Sequence, residues 1–176
     1  LCEGYVRSCN FAQGDLCFLL YFIHMGKVVV VDENDTVVAL KERSLLTKDD
    51  IYRLSIIWIT NSKEEILMAQ RALQKKVFPG LWSAAAGGMV DEGEEYKDNI
   101  VKETQEEIGL TLDPAKLVQG EKLKWGEPST CFIQWYSYTT DVYIEQLVLK
   151  EDEVQAVKWY TKEALKREVA EHPQKF

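Results

Sequence analysis

The sequence predicts one mixed domain of the α+β class, in which two helices cover a sheet. Most of the chain consists of short runs rich in β-branched and aromatic residues, separated by polar turn signals. Such runs predict strands. Only residues 94–108 and 161–171 have a helical pattern. The length of 176 residues and the apolar content of 46% suit a single globular domain with its own core.

The first half of the chain predicts two pairs of strands. An acidic turn at residues 32–35 separates the first pair, and a polar turn at residues 61–65 separates the second. Residues 74–80 follow as a basic loop, and residues 82–88 are a small-residue segment to which we assign no helix or strand. The four strands are expected at residues 28–31, 36–39, 53–60 and 66–71.

The second half of the chain predicts both helices. The strongest helical pattern covers residues 94–108 and stops at Gly109, because glycine readily adopts the left-handed conformation that ends a helix. Thr161 can accept a hydrogen bond as the N-cap of a last helix, which ends near Glu171, before Pro173. The remaining strands are expected at residues 117–124, 131–140 and 154–160.

The acidic charge of the chain is concentrated in one segment. The net charge is −8, and residues 91–107 alone carry eight acidic residues and two lysines. A phosphate backbone requires a basic surface, so we expect no binding of nucleic acid. A dense acidic block is typical of a solvated face or of a metal site.

The start of the chain has no feature of a membrane protein. Its longest apolar run, residues 16–23, has eight residues, whereas a membrane span needs about 20. No basic segment and no small-residue cleavage site mark it as a signal peptide. The four cysteines show no Cys-x-x-Cys spacing. We therefore expect free thiols, no membrane contact and a cytoplasmic location.

Three glutamates of the first helix share one side. At about 100° per residue, Glu103, Glu106 and Glu107 span an arc of about 100°. Like charges one turn apart destabilise a helix by about 0.2–0.5 kcal/mol per pair. A divalent cation that prefers oxygen ligands, Mg²⁺ or Mn²⁺, would offset this repulsion. For these residues alone, a solvated acidic face is the simpler alternative.

The spacing around the glutamates is more specific. Gly88 is followed after five residues by Glu94, and after seven more by a run that reads KETQEEIGL from residue 102 to 110. This 23-residue segment resembles the Nudix box, with every spacing matched. Two residues depart from the family pattern: Lys102 stands where the family has arginine, and Thr104 where it has an apolar residue.

The resemblance implies an α/β/α sandwich with a mixed sheet, formed by residues 25–176, and a loop–helix–loop segment that holds divalent cations. The family arginine pairs with the first box glutamate. Lys102 is therefore expected to pair with Glu94, less rigidly, because a lysine cannot form a bidentate fork. The groups that match metal ligands are the backbone carbonyl of Gly88 and the carboxylates of Glu103, Glu106 and Glu107.

The segment before the box is similar to isopentenyl diphosphate isomerases and their hydrolase relatives, which carry Lys-x-x-x-Pro-Gly-x-Trp there. In this chain the motif runs from Lys75 to Trp82. The isomerases have a catalytic cysteine just before the first conserved glycine of this region, and Ala86 stands at that place. The intact pair Glu106 and Glu107 is also typical of the hydrolases. Both departures favour a hydrolase.

The resemblance thus implies a metal-dependent hydrolase that cleaves a diphosphate linkage in a nucleoside diphosphate derivative or related organic diphosphate. Metal-bound water would attack phosphorus in such an enzyme. Glu106 is our first choice for the general base, and Glu153 is the alternative. Arg71, Lys75 and Lys76 are expected to hold the substrate phosphates.

Two other functions stay open. An isopentenyl diphosphate isomerase would need a proton donor in place of Ala86, and Cys131 is the nearest cysteine in sequence. A catalytically silent Nudix-like binding module would have no chemical reason to keep a repulsive glutamate cluster. As partners we expect a small-molecule diphosphate substrate, and we allow for a homodimer.

Residues 1–24 differ from the rest of the chain. They hold three of the four cysteines and little charge. We expect them to be an extension outside the catalytic domain of residues 25–176, with Met25 as the natural initiator. The alternative is that the apolar run at residues 16–23 docks onto the sheet.

Overall fold

The computed structural model describes residues 26–126 and 129–176. Within these ranges the chain forms one nine-stranded mixed sheet and two α-helices. The α+β class and the mixed sheet predicted from the sequence are confirmed. The expectations about residues 1–24, including an initiator at Met25 and docking of residues 16–23, lie outside the described residues.

The elements follow one another in a simple order. The helices are α1 (Tyr96–Ile108) and α2 (Lys162–Glu171), and neither is long and apolar enough to cross a membrane, nor is any other helix in the described ranges. The strands are β1 (Lys27–Val31), β2 (Val37–Glu42), β3 (Ile51–Thr60), β4 (Ile66–Arg71), β5 (Trp82–Ala84), β6 (Ala86–Met89), β7 (Val118–Trp125), β8 (Cys131–Thr139) and β9 (Val154–Tyr160).

Strand β3 is the centre of the sheet because it pairs with four other strands. On one edge it pairs in parallel with β8, from Tyr52 to Thr60. On the other edge it pairs antiparallel with β1, β6 and β4 in turn. The outer strands then extend the sheet: β2 pairs with β1, β7 with β8, and both β5 and β9 with β4.

The main core lies between β3 and α1. Alternate residues of β3, including Ile57 and Ile59, are fully buried on the side that faces α1. The helix contributes Ile100 and Ile108 to the same cluster. Each such side chain stabilises the fold by about 1.5–3 kcal/mol through burial. This packing fixes which side of α1 meets the sheet.

Several boundaries differ from the sequence prediction: β2 extends to Glu42 rather than residue 39, and β3 begins at Ile51 rather than residue 53. Helix α1 begins at Tyr96 rather than at residue 94, because Glu94 belongs to a turn in which its N–H donates to the carbonyl of Asp91 (3.1 Å). Residues 82–88 hold β5 and β6, although their small side chains have little preference for strands. Pairing with β4 and β3 gives them strand structure.

The connection between β8 and β9 covers the C-terminal end of α1. The N–H of Val148 donates to the carbonyl of Ile108 (3.1 Å), and the N–H of Lys150 donates to that of Glu107 (3.0 Å). Carbonyls in the last turn of a helix have no partner within the helix. The helix ends at Gly109 with a φ of +69°, as predicted, and a Cβ there would lie 2.9 Å from the backbone nitrogen of Val148.

Asp35 joins the β1–β2 turn to three other elements. Its buried carboxylate accepts hydrogen bonds from Arg53 Nε on β3 (2.7 Å), Lys122 Nζ on β7 (2.6 Å) and the Tyr96 hydroxyl at the start of α1 (3.0 Å). Burial alone would raise the pKa of Asp35. The hydrogen bonds from Lys122 and Arg53 outweigh burial, so the pKa lies below its ordinary value.

Replacing Asp35 by asparagine should destabilise the fold. Asparagine has the same size and tolerates the backbone φ of +60° at this position, but it carries no charge. We expect the free energy of unfolding at pH 7 to fall by about 2–4 kcal/mol. Because the pKa is lowered in the folded state, the carboxylate stabilises above its unfolded pKa of about 3.9, and this contribution is lost as the pH falls through the folded pKa. Urea unfolding of both proteins between pH 7 and pH 2 should therefore show the difference shrinking in acid.

Glu33 provides a matched control in the same turn. Its carboxylate pairs with Lys124 on the same strand β7, but its side chain is 72% exposed. Exposed ion pairs contribute about 0–1 kcal/mol, so Glu33→Gln should change the stability little. Equal losses in the two variants, or a loss at Asp35 that does not depend on pH, would contradict the role given to Asp35.

Candidate active site

The three box glutamates lie at different depths on α1. Glu107 is 9% exposed, and it accepts a hydrogen bond from the N–H of Gly87 (3.2 Å). Glu103 is half-buried against Gly88, and Glu106 is exposed. Two of the three carboxylates that the helical pattern placed on one side therefore face strand β6, and the third faces solvent.

Both glycines of β6 lie in tight contacts, one with α1 and one with β3. A Cβ on Gly88 would lie 2.6 and 2.7 Å from the two carboxylate oxygens of Glu103. A Cβ on Gly87 would lie 2.7 Å from the backbone carbonyl oxygen of Ser55 on the paired strand β3. Gly88 thus leaves room for the carboxylate of Glu103, and Gly87 lets β6 pair closely with β3.

Burial and mutual repulsion raise the pKa of both inner glutamates. Burial is the main reason that the pKa of Glu107 rises to about 8, and the negative charge of Glu103 adds to it. The pKa of Glu103 is also raised, chiefly by burial, although the positive charge of Lys102 opposes the shift. A cation nearby would favour the ionised form of both carboxyls.

Lys102 forms ion pairs with the acidic side chains at the start of the box. Its Nζ lies 2.7 Å from Glu94 Oε1, 3.0 Å from Asp91 Oδ2 and 3.7 Å from Glu103 Oε1. Burial disfavours its charge, but the hydrogen bonds with Glu94 and Asp91 keep the pKa of Lys102 above its ordinary value. The pair with Glu94 expected from the sequence is therefore present, and the same ammonium also holds Asp91.

Two of the three predicted phosphate-binding cations lie beside the inner glutamates. The positive charge of Arg71 lowers the pKa of Glu107, while the negative charge of Glu153 raises it. Lys75 forms an ion pair with Glu153. Lys76 is exposed to solvent on the same loop. The fold thus brings Arg71, Lys75 and Glu153 to the inner glutamates from two separate connections.

Arg43 belongs to this region, although the sequence analysis did not select it. It follows β2 in a short 3₁₀ turn, Arg43–Leu45, and its positive charge lowers the pKa of Glu103. The preceding residue, Glu42, lies opposite Lys27 in the ladder between β2 and β1. The backbone carbonyl of Lys27 accepts a hydrogen bond from the N–H of Glu92 (2.7 Å). These contacts hold the turn beside the start of the box. No local motif marks Arg43, because the two segments are far apart in sequence.

An open pocket of about 440 Å³ reaches the outer glutamate from the helix end. Glu106 is the only one of the three box glutamates in its lining. The other lining residues are Gln105, Gly109, Val148, Leu149 and Lys150. Solvent therefore has access to Glu106 from a side that Glu103 and Glu107 do not share.

The inner glutamates fit a divalent cation with an incomplete protein shell. Across residues 26–126 and 129–176, no three Asp, Glu, His or Cys side chains form a complete cage for an ion. Mg²⁺ usually keeps several waters and binds through one or two carboxylates and substrate phosphates. The buried carboxylates of Glu103 and Glu107, with no side chain at Gly88, suit such an ion.

Comparison with known proteins agrees with this geometry. The NUDIX domain family model matches residues 52–176. The chain belongs to the NUDIX family. The resemblance inferred from the box is thereby confirmed.

Individual relatives include hydrolases and isomerases. An uncharacterized Nudix hydrolase of Pseudomonas aeruginosa is 41% identical over 81 residues, which cover 46% of this NUDIX chain and 48% of that protein. Isopentenyl-diphosphate Delta-isomerase 1 of Photorhabdus laumondii is 34% identical over 91 residues, which cover 51% and 52%. The chain thus spans about half the length of these relatives.

A solved structure shares the fold of the NUDIX chain. The crystal structure of a Deinococcus radiodurans protein superposes with a TM-score of 0.72 and covers 83% of this chain and 90% of that one. The two sequences are 21% identical. This likeness supports the fold alone.

Replacing Gly88 by alanine should displace Glu103. The added Cβ would overlap the carboxylate. The Glu103 side chain can turn away, so we expect the free energy of unfolding to fall by less than about 1 kcal/mol. Binding of Mn²⁺ should weaken by about 10-fold or more, because a ligand moves out of place. Thermal unfolding and calorimetric titration with Mn²⁺ measure the two effects.

Gly126 is the matched control, since a Cβ there would meet no atom of the described residues within 4 Å. Gly126→Ala should keep both the stability and the Mn²⁺ affinity of the parent protein. A folded Gly88→Ala variant that binds Mn²⁺ as tightly as the parent would separate Glu103 from the metal site.

Proposed function

We propose that this NUDIX protein is a metal-dependent hydrolase that cleaves the diphosphate linkage of nucleoside diphosphate derivatives or related organic diphosphates. The observation that carries the proposal is the placement of two repelling glutamates, the half-buried Glu103 and the buried Glu107, against Gly87 and Gly88 of β6. The positive charges of Arg43, in the turn after β2, and Arg71, at the end of β4, act on them. Such a site suits a divalent cation together with an anionic substrate.

Some box residues would bind the cation, and others would hold the helix in place. A bound Mg²⁺ or Mn²⁺ would neutralise the diphosphate and make a nearby water more acidic. Glu103 and Glu107 would bind it through carboxylate oxygens, with the carbonyl of Gly88 and the carboxylate of Glu106 as further ligands. Lys102 and Glu94 would keep the start of α1 in place without touching substrate.

Glu106 is better suited than Glu153 to act as the general base. The carboxylate of Glu153 is engaged by Lys75, so it would have to break an ion pair before it accepted a proton. Glu106 is exposed to solvent and directly precedes Glu107 on the helix. Its carboxylate can therefore reach a water molecule without rearrangement of the fold.

Arg71, Lys75 and Arg43 are the side chains that we expect to hold the substrate phosphates. Arg71 already donates from Nε to the carbonyl of Val77 (3.0 Å), which steadies its guanidinium. A guanidinium can then offer its remaining N–H groups to two phosphate oxygens. Lys76 is exposed on the same loop and would add charge rather than a fixed contact.

An isopentenyl diphosphate isomerase is the second candidate, because several similar proteins have that name. The surroundings of Cys131 disfavour it. Cys131 is 2% exposed and packs with Val28 and Tyr52. Its neighbour Tyr52 has the opposite strand parity to Ser55, which faces α1, so Cys131 lies on the other face of the sheet. Burial also raises the pKa of the Cys131 thiol to about 11.

Replacing Glu107 by glutamine should abolish most of the activity. The change keeps the shape and removes one charge, so we expect the hydrolysis rate with Mg²⁺ to fall by about 10²-fold or more. Glu92→Gln, on the exposed turn before the helix, should keep the parental rate. A parental rate in the Glu107 variant would show that the site is assigned to the wrong residues.

A substrate screen separates the two enzyme functions. Nucleoside diphosphates, dinucleotides, sugar nucleotides and prenyl diphosphates should be tested with Mg²⁺ and Mn²⁺ for release of phosphate-containing products. We expect hydrolysis of at least one of them. Isopentenyl diphosphate in D₂O should gain no deuterium, because neither Ala86 nor buried Cys131 can deliver a proton to carbon. Deuterium in the dimethylallyl product would favour the isomerase and overturn the hydrolase.

A further inference from the structure

We propose that Asn99 is a positioning residue that shares with Lys102 the contacts that one arginine makes elsewhere in the family. The two side chains together would supply the two donors of an arginine fork to Glu94, and this support would fix the helix that carries Glu103. The part that concerns Glu103 rests on the proposed metal-dependent function. The part that concerns Glu94 stands on the contacts of the fold alone.

Asn99 makes an unusual number of contacts for a residue inside a helix. It is fully buried in α1. Its Nδ2 donates to the carbonyl of Met89 and to Glu94 Oε2, both at 2.9 Å, and lies 3.5 Å from Glu103 Oε1. Its Oδ1 accepts a hydrogen bond of 2.5 Å from the hydroxyl of Ser55 on β3.

The orientation of the amide follows from these partners. The three oxygens around Nδ2 belong to a carbonyl and two carboxylates, which accept hydrogen bonds when ionised. The Ser55 hydroxyl can donate to Oδ1. A flipped amide would place its oxygen against three acceptors. Asn99 is therefore held as a donor, and its two N–H groups go to the carbonyl of Met89 and to Glu94.

The two oxygens of Glu94 have separate donors. Lys102 Nζ lies 2.7 Å from Oε1, and Asn99 Nδ2 lies 2.9 Å from Oε2. An arginine fork would donate two parallel N–H groups to the same two oxygens. Lys102 alone cannot form a bidentate fork with Glu94. The buried amide of Asn99, one turn earlier on the helix, supplies the second donor.

Asn99 also connects this support to the inner site. Ser55 anchors the amide to the central strand, and the hydrogen bond to Glu94 ties the turn before α1 to the helix that carries Glu103. Groups that orient metal ligands typically change metal affinity by about 10–100-fold when they are removed. Asn99 would act on the cation in this way, by fixing through Glu94 the helix that carries Glu103, without contacting the cation.

A mutant cycle tests the shared fork. Asn99→Ala is compared with the parent protein, and Asn99→Ala/Lys102→Arg with Lys102→Arg, by calorimetric titration with Mn²⁺ and by thermal unfolding. In the parent background we expect Asn99→Ala to weaken Mn²⁺ binding by about 10–100-fold. In the Lys102→Arg background the loss should be under about 3-fold, because one guanidinium can supply both donors to Glu94. A general packing role for Asn99 would give equal losses in the two backgrounds.

Thr104→Val is the matched control. Thr104 is also fully buried in α1, and its hydroxyl donates to the carbonyl of Ile100 (2.7 Å), away from Glu94 and Glu103. This variant should keep the Mn²⁺ affinity. A loss as large as that of Asn99→Ala would show that any disturbance of the helix weakens the site.

Each outcome decides the proposal. If Asn99→Ala fails to fold while the double variant folds, arginine has rescued the missing donor and the proposal is supported. Equal losses in the two backgrounds, or two variants that both fail to fold, would overturn it. A parent protein that binds no Mn²⁺ would contradict the proposed function instead. The fall in melting temperature would then still decide the sharing of Glu94, since it should be at least about 3 °C larger in the parent background than in the Lys102→Arg background.

Discussion

The Glu103 carboxylate lies over the backbone of Gly88 with no room for a Cβ between them, and the geometry of the site depends on this contact. A side chain at Gly88 would force Glu103 to turn away from the strand. The hydrogen bonds from Gly87 to Glu107 and from Asn99 to Met89 hold the same part of α1 against β6. The missing Cβ therefore lets Glu103 lie against β6, beside the buried Glu107.

Such burial is costly, and side chains from distant parts of the chain reduce the cost. Lys102 lies within the acidic segment itself. Arg71 and Lys75 arrive from the connection between β4 and β5, and Arg43 arrives from the turn after β2. The protein as a whole is acidic, yet cations stand close to the two inner glutamates. An anionic ligand can therefore approach this part of the surface despite the overall charge.

Local patterns were sufficient for some of these features and insufficient for others. Helical periodicity and a glycine predicted the helix and its end at Gly109, because both depend on neighbours within one or two turns. The same pattern placed three glutamates on one side, whereas Glu106 faces solvent and Glu103 and Glu107 face β6. The strand Ala86–Met89 could not be predicted, since its residues have little strand preference and become a strand by pairing with β3. No local pattern marks Asn99, because its partner Ser55 belongs to a distant strand. The ion pair between Lys75 and Glu153 likewise exists only in the folded chain.

Val148 and Lys150, in the connection between β8 and β9, donate hydrogen bonds to the last carbonyls of α1. These bonds couple the motion of the connection to that of the helix end. Neither amide can exchange its proton with water until it leaves its carbonyl, and leaving exposes the final turn that carries Glu107. The connection and the helix end should therefore open together, as one cooperative unit. The same connection leads to Glu153 and its partner Lys75. Fraying of the C-terminal end of α1 would therefore also disorder the connection between β8 and β9.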